Sequence, residues 1–263
     1  DAKGGTQTFE PRLFYVYTPY RDQSQFPNFD TADATFNLTQ LFTENRFVGS
    51  DRIGDANQVT AAVVSRFLQA DGAERLRLTF GQRFYFADQR VQLTSTTPVN
   101  QARSDILLAA TGRVSETWTV DSLVQYNPSD SQLVSSTYSV QYQPGPKKVL
   151  NVGSRFQRGS FRNAEVSGQW PLSERLYGVG RVSYSLLDRR LLEGLIGLEY
   201  KGDCWVFRMG AQRFVTSAQK SSTPIFFQLE LTGLSNGLGL GANGLETFTK
   251  TIPGYQALST PIR

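Results

Sequence analysis

The 263-residue chain contains no histidine and a single cysteine, Cys204. Without histidine, neither the Ser-His and Cys-His pairs that activate nucleophiles nor histidine-ligated metal sites can form within this chain. One cysteine alone makes neither an internal disulfide nor a cysteine cluster for zinc. We therefore expect a protein that is not an enzyme and that uses no metal and no cofactor.

Long apolar runs and blocks of like charge are also absent. No stretch of about 18 apolar residues occurs, which excludes a transmembrane helix. The 27 lysines and arginines are scattered along the chain and form no basic block, so a nucleic-acid partner is not expected. The chain starts at Asp1 without Met and without an apolar signal region, and we expect either a processed protein or part of a longer one.

What the chain does contain is a repeated alternation of apolar and polar residues, clearest at residues 134–143. There Val134, Tyr138, Val140 and Tyr142 share one face, and serine, threonine and glutamine occupy the other. Alternate residues of a strand face opposite sides, so such a strand has one apolar and one polar face. Runs of about ten residues suit a tilted strand that crosses a bilayer, whereas soluble sheets use about five or six.

This alternation predicts an all-β fold, an antiparallel transmembrane β-barrel of about twelve strands. Residues 1–234 are expected to hold the barrel strands and residues 235–263 a C-terminal periplasmic tail. The strands are expected at residues 6–17, 58–69, 74–87, 104–115, 117–127, 134–143, 148–157, 162–170, 175–187, 190–201, 204–215 and 225–234.

The charges of these strands fall on the face opposite the leucines and aromatic rings. Arginine facing lipid costs about 2–4 kcal/mol at the bilayer midplane, so this face is expected to line the lumen. Arg75, Arg77, Arg83 and Arg208 are the main lumen charges. Either they contact phosphates of a ligand through charge-assisted hydrogen bonds, or glutamates on the same face neutralise them.

The connections alternate between long and tight. Barrels of outer membranes have long extracellular loops and short periplasmic turns, so residues 18–57 and 88–103 are expected outside. In this register Trp118, Trp170 and Trp205 all fall at the periplasmic edge, a depth that interfacial tryptophans favour.

Several motifs of the chain resemble the LptD family of lipopolysaccharide-assembly proteins. The most specific are Asp51-Arg-Ile-Gly-Asp-Ala-Asn-Gln58 and the end of the segment Phe227-Gln-Leu-Glu-Leu-Thr-Gly-Leu-Ser235. The similarity extends over nearly the whole chain. Its other parts are Pro19-Tyr-Arg-Asp-Gln23, Val63-Val-Ser-Arg-Phe67, Gly81-Gln-Arg-Phe-Tyr-Phe86, Ala164-Glu-Val-Ser-Gly-Gln-Trp-Pro171, Leu198-Glu-Tyr-Lys-Gly-Asp-Cys-Trp205 and Ile252-Pro-Gly-Tyr255.

The resemblance implies the C-terminal half of a larger barrel in the outer membrane of a Gram-negative bacterium. Its implied function is to assemble lipopolysaccharide into the outer leaflet. The implied partners are lipopolysaccharide itself, the plug lipoprotein LptE, the periplasmic bridge protein LptA and the barrel-assembly machinery.

The resemblance also implies roles for particular residues. Cys204 matches a position where the family often carries two adjacent cysteines that pair with the N-terminal region. Here its neighbour is Asp203, so one such disulfide is possible, and the alternative is a free thiol. The last strand would form one wall of a lateral gate and carry the signal for barrel assembly, through residues Phe227, Gln228, Leu229, Glu230 and Leu231.

The long loop carries a polar motif, for which the resemblance implies a fold over or into the barrel and contact with the plug lipoprotein. The alternative is a charged turn that Asp side chains cap. The motif residues are Asp51, Arg52, Asp55, Asn57 and Gln58.

Other functions remain open from the residues alone. A complete twelve-stranded channel or autotransporter pore explains the strand pattern equally well but not the resemblance at residues 51–58. An outer-membrane hydrolase would need histidine in its usual forms. A soluble sugar-binding sandwich would have shorter strands with fewer aromatic residues on one face.

Overall fold

The computed structural model describes residues 4–93, 98–217, 220–231, 239–241 and 244–259. Strands dominate this part of the chain. In chain order they are β1 (Thr6–Thr18), β2 (Ala32–Asp33), β3 (Phe47–Val48), β4 (Ala56–Leu68), β5 (Glu74–Tyr85), β6 (Ile106–Arg113), β7 (Trp118–Asn127), β8 (Gln132–Gly145), β9 (Lys148–Gln157), β10 (Phe161–Pro171), β11 (Leu176–Ser185), β12 (Arg190–Lys201), β13 (Trp205–Ser217), β14 (Lys220–Ser222), β15 (Ile225–Leu231) and β16 (Gly239–Gly241).

Two short helices complete the described elements. A 3-10 turn, η1, spans Gln40–Phe42 inside the long loop, and the helix α1 spans Gly244–Thr251 near the C-terminus. No helix among the described residues is long and apolar enough to cross a membrane.

One antiparallel sheet of 14 strands contains all the long strands. Its hydrogen-bonded order is β1-β4-β5-β6-β7-β8-β9-β10-β11-β12-β13-β15-β16, with β14 paired to β13, and β2 and β3 form a separate pair. Chain neighbours are therefore sheet neighbours, apart from the small loop pair between β1 and β4 and the short β14, which pairs with β13 as β15 does. This is the order of an up-and-down β-barrel, and the predicted all-β antiparallel class is confirmed.

Each of the twelve strands expected from the alternation is present, and apart from the end of the last strand the described bounds differ from the expected ones by no more than two residues. Residues 232–234, the expected end of the last strand, lie outside the described residues. The expectation missed the strands of two or three residues, because so few residues cannot display a period of two. It also missed η1 and α1.

The chain divides into two units, of which the first spans Asp1–Gly112 and Ser122–Ser136. Within it β1 pairs with β4 along its whole length, from Thr6 opposite Leu68 to Thr18 opposite Ala56. Its small buried core joins loop and sheet. That core consists of Leu41, Ala62 and Leu107, with Phe36, Leu38 and Phe42 packed against it.

The second unit spans Arg113–Asp121 and Thr137–Arg263. Its buried core joins strands to the C-terminal segment. The members are Val149, Val179, Leu195, Phe226, Phe248 and Ile252, with Tyr255 packed against them.

The apolar faces of the strands carry large exposed side chains. Phe80 on β5 is 44% exposed and Ile196 on β12 is 71% exposed, whereas Arg83 and Glu199 on the opposite faces of those strands are buried. A soluble protein of this size would hide such rings and aliphatic chains. The polar faces, by contrast, are partly covered by the chain itself, and the candidate site is built there.

Candidate functional site

Strand β15 shows the alternation that the sequence predicts. Phe227, Leu229 and Leu231 are exposed on one face, while Gln228 and Glu230 are half-buried on the other. The placement of these five side chains agrees with the expectation, and their role as a gate stays a prediction.

The pairing of β15 is unequal on its two sides. It pairs with β13 at seven positions, from Trp205 opposite Leu231 to Ala211 opposite Ile225. On its other side it pairs with β16 at only three positions, centred on Leu229 opposite Leu240. The expectation that β15 is the last strand of the sheet is therefore wrong, since β16 lies beyond it. Three residues rich in glycine gave no alternation from which β16 could be recognised.

Glu230 of β15 belongs to a buried charged network. Arg208 on β13 is 0% exposed and bonds Glu199 at 2.9 Å and Glu230 at 2.5 Å. Gln169 Nε2 donates to the other Glu199 oxygen at 3.0 Å. Removing one member of such a buried group leaves an uncompensated charge, at a cost of about 3–5 kcal/mol. The network thus fixes β15 to β13 on the polar face.

Arg181 on β11 forms a second group of the same kind. Its guanidinium lies 3.0 Å from Glu165 and 3.4 Å from Glu193. For Arg181 and Arg208, neutralisation by glutamates is the reading that the structure supports. These two arginines stabilise the polar face through ion pairs and do not present an unpaired charge to a ligand.

The C-terminal segment, residues 244–259, packs on this polar face. Phe248, Ile252 and Leu258 are each no more than 1% exposed. Phe248 and Ile252 pack against apolar side chains that interrupt the polar face, and the Phe248 ring meets that of Phe226 at a centroid distance of 5.5 Å. Fully burying such side chains contributes about 1.5–3 kcal/mol each. The expectation of a periplasmic tail at residues 235–263 stays a prediction, and part of it lies outside the described residues.

Polar contacts hold the same segment to four strands, β8, β9, β10 and β11. The Pro253 carbonyl accepts hydrogen bonds from Asn151 at 2.9 Å and Gln141 at 3.3 Å. Arg181 donates to the Thr251 carbonyl at 2.6 Å. The Gln169 side chain donates to the Gln256 carbonyl and accepts from the Gln256 N–H. Backbone groups without intrasegment partners are therefore satisfied by strand side chains.

Tyr255 joins this segment to the charged network. Its hydroxyl donates to Glu199 at 2.5 Å. Burial raises the pKa of the Tyr255 phenol, with the Glu199 carboxylate adding to the effect, so the hydroxyl stays protonated. The sequence analysis noted the Ile252-Pro-Gly-Tyr255 motif only as part of the resemblance and missed this contact.

Glycines on the polar face make room for the segment. A Cβ atom at Gly197 would lie 2.6 Å from the Phe248 ring, and one at Gly210 would lie 2.6 Å from the Phe226 ring. Glycine within a strand often marks a close approach of another chain segment. Together with Leu195, an apolar residue on a polar face, these glycines were the sequence signal for the docked segment.

In the first unit the long loop covers the polar face of β4 and β5. Arg83 is 4% exposed and donates to the carbonyls of Gln40 and Leu41 at 2.7 and 2.9 Å. Thr60 also donates to the Leu41 carbonyl, and the Leu41 side chain lies over Gly81. Of the predicted lumen charges, Arg83 is thus a buried anchor of the loop.

The other two predicted lumen charges of this unit are exposed. Arg77 makes a 2.9 Å ion pair with Glu74 three residues earlier, and Arg75 is exposed with interactions of its own. Exposed pairs of this kind contribute little to stability. The four arginines therefore differ in role, since two are buried anchors and two lie on the surface.

The long-loop motif divides between loop and strand. The Asp51 carboxylate accepts hydrogen bonds from the N–H groups of Phe29 and Asp30 at 2.6 and 2.7 Å, and these bonds lower the Asp51 pKa. Arg52 donates to the Phe26 carbonyl. Asp55 is buried, accepts from the backbone of Arg90 and Val91, and lies 3.6 Å from Arg46. The capped-turn alternative is thus seen in the structure.

Asn57 and Gln58 lie on β4 rather than in the loop. Asn57 accepts a hydrogen bond from the Tyr15 hydroxyl at 3.0 Å, and Gln58 is buried. They position the strand on which the motif ends. Contact of the motif with a lipoprotein stays a prediction.

Cys204 is exposed and unbridged in the tight link between β12 and β13. The flanking Asp203 pairs with Arg175 at 3.2 Å, and the flanking Trp205 stacks on Tyr200 at 5.4 Å. An exposed thiol in an ordered turn is reachable from outside the chain. No group of histidine, cysteine, aspartate and glutamate within the described residues is arranged to hold a metal ion.

Comparison with known proteins gives a consistent result. A family model described as LptD, LPS transport system D, matches residues 1–176. The LPS-assembly protein LptD of Thiobacillus denitrificans is 44% identical over 95% of this chain and 34% of its own length. The proteins of that name from Aromatoleum aromaticum and Burkholderia ambifaria are each 44% identical, over 99% and 96% of the chain. The chain spans about a third of the length of these curated relatives.

We expect Tyr255→Phe to loosen the C-terminal segment in the full-length protein. The variant loses a hydrogen bond to a charged group, worth about 1.5–3 kcal/mol, so hydrogen exchange of residues 244–259 should accelerate by about ten-fold or more. Because the folded pKa of Tyr255 is raised, its contribution is complete below the ordinary tyrosine pKa of about 10. The effect should therefore be equal at pH 6 and pH 8 and fade only as the pH rises through the folded pKa.

Tyr138→Phe is the matched control, because Tyr138 is 45% exposed on an outward face. Its exchange at residues 244–259 should equal that of the unmodified protein. Unchanged exchange in Tyr255→Phe would show that the bond to Glu199 does not hold the segment.

Proposed function

This chain belongs to the LptD family of lipopolysaccharide-assembly proteins, and we propose that it forms part of an outer-membrane translocon that inserts lipopolysaccharide into the outer leaflet. The proposal includes location in the outer membrane of a Gram-negative bacterium. It assigns no bond-making chemistry to the chain. The sheet would instead provide a polar face for sugars and a seam through which acyl chains pass into lipid.

The observation that carries this proposal is the unequal pairing of β15. Among the described residues, it makes seven pairs with β13 and three with β16. Unpaired backbone groups in lipid cost several kcal/mol each, so a strand of a membrane sheet is normally paired along its length. The outer side of β15, which pairs with β16 at three positions, separates with fewer broken hydrogen bonds than the side that pairs with β13. We infer that the seam lies on this side of β15.

The side chains of β15 support the same role. Phe227, Leu229 and Leu231 offer an apolar surface to acyl chains, while Gln228 and Glu230 face the polar side. A glycolipid has the same division between lipid and sugar. Because the Arg208 network fixes β15 to β13, opening at the seam would leave that side intact.

Partners follow from the same assignment. The barrel-assembly machinery would recognise β15 by strand addition along the part of its outer side that β16 leaves unpaired. The plug lipoprotein LptE would meet the loop that covers β4 and β5. The periplasmic bridge protein LptA would deliver lipopolysaccharide to the protein on the periplasmic side. A complete pore, the alternative function, has no observation in its favour beyond the strand pattern.

The seam is tested by locking it. A disulfide between Phe227→Cys, which lies on the outward face beside the positions paired with β16, and a cysteine in the first barrel strand of the full-length protein should stop lipopolysaccharide export, because acyl chains could no longer pass. We expect surface delivery to fall at least ten-fold on oxidation and to recover on reduction. The measurement is the rate at which newly made lipopolysaccharide reaches the cell surface.

The control is a disulfide between strands that stay paired. Ile196→Cys and Ala211→Cys are opposite each other on β12 and β13, and both face outward. Their oxidation should leave export unchanged. Normal delivery by protein locked at residue 227 would rule out a gate at β15.

We further propose that Cys204 forms a disulfide with a cysteine outside this chain. An exposed thiol in an oxidising compartment is seldom left free, and the tight link holds it at an accessible position. Full-length protein should migrate differently on a gel before and after reduction, and Cys204→Ser should abolish that difference. Identical migration of both proteins before and after reduction would mean that Cys204 is a free thiol.

A further inference from the structure

A polar cleft lies between the long loop and the connection that follows β5, in the first unit. Its volume is about 410 Å³, and three arginines, Arg21, Arg52 and Arg90, line it. The acidic residue among its lining residues is Asp22, so the lining carries a net charge of +2 (three positive minus one negative). Volumes of roughly 300–1,000 Å³ are typical of small-molecule sites.

Asp22 does little to neutralise the arginines. Its carboxylate accepts a hydrogen bond from the Ser24 N–H at 2.9 Å and so closes its own turn. No ion pair joins it to an arginine of the cleft within the described part of the chain. The positive charge of the cleft is therefore available to an outside group.

Two of the three arginine side chains, Arg52 and Arg90, are held without using all their donors. The Arg90 guanidinium lies over the Tyr20 ring at 3.8 Å from its centroid, which fixes the plane of the cation and leaves its edge open. Arg52 is anchored through the Phe26, Pro27 and Asp51 carbonyls. Fixed guanidinium groups with free edges are suited to phosphate or carboxylate oxygens.

The walls of the cleft are built by the long-loop motif. Asp55 accepts hydrogen bonds from the backbone of Arg90 and Val91 at 2.8 and 2.9 Å, which holds one wall. Gln23 exchanges two hydrogen bonds with the backbone of Ile53, which holds the other. The motif thus places Arg52 and Arg90 in one cleft, a result that simple capping of a turn does not require.

We propose that this cleft binds a phosphorylated saccharide, the anionic sugar part of the exported glycolipid. The source of the ligand, the exported glycolipid, follows from the proposed function. The chemical class of the ligand follows from the residues that line the cleft. Gln23, Ser24 and Gln92 supply neutral polar groups beside the arginines, as sugar hydroxyls require. A protein partner would need a contact of about 800 Å² on each side, far more than a cleft of this size offers.

The experiment measures binding of three soluble probes to the full-length protein by calorimetry. The probes are deacylated lipopolysaccharide core oligosaccharide with its phosphates, the same oligosaccharide after dephosphorylation, and inorganic phosphate. The phosphorylated oligosaccharide should bind, and Arg21→Gln combined with Arg90→Gln should weaken it at least ten-fold. The control, Arg189→Gln, removes one exposed arginine from the link between β11 and β12 and should change nothing.

Three results would overturn the proposal. The first is equal affinity in the double variant and the unmodified protein. The second is equal affinity for the phosphorylated and the dephosphorylated oligosaccharide. Displacement of the bound oligosaccharide by an equal concentration of inorganic phosphate counts against the proposal in the same way. The third is loss of binding to the plug lipoprotein in the double variant while oligosaccharide binding persists, which would assign the cleft to a protein interface. None of these results depends on export, so the seam at β15 stands or fails separately.

Discussion

Backbone hydrogen bonding between neighbouring strands is the constraint on which the rest of this structure depends. In lipid each N–H and C=O must find a partner within the protein, and pairing of long antiparallel strands provides one for almost every group. Pairing in turn sets the register, and the register divides every strand into an apolar and a polar face. On the side of β1 that faces β4, thirteen residues lie opposite thirteen, so pairing there runs along the whole strand.

The polar faces then have to be satisfied, and the chain does this partly with its own segments. Arg83 donates hydrogen bonds that hold the long loop on β4 and β5. Tyr255 bonds Glu199, the partner of Arg208, and so holds the C-terminal segment on the strands of the second unit. In both places an inward glycine admits an apolar side chain, Leu41 over Gly81 and Phe248 over Gly197. In the second unit the docked segment, residues 244–259, covers this part of the polar face.

Sequence reasoning recovered the strands but not what lies on them. Alternation over ten residues is a strong local signal, and it located every long strand and the faces of Phe80, Ile196 and Arg208. The docked segments depend on contacts between residues far apart in the chain, such as Tyr255 with Glu199, and no local period records these. Glycines and Leu195 on a polar face were visible in the sequence, but their meaning required knowledge of what packs against them. The long-loop motif was singled out by resemblance, whereas its architecture, with Asp55 holding the Arg90 backbone, is a property of the fold alone.

The division of each strand into a lipid face and a water face is the central claim, and spin-label accessibility tests it most directly. Labels would replace Leu78, Leu198 and Arg77 one at a time in full-length protein carrying Cys204→Ser, reconstituted in bilayers. Leu78 and Leu198 are exposed on the apolar faces, and Arg77 is exposed on the opposite face of β5. Labels at 78 and 198 should relax with oxygen and resist a polar nickel reagent, and the label at 77 should show the reverse. Equal responses to both reagents at all three positions would contradict a sheet that separates lipid from water.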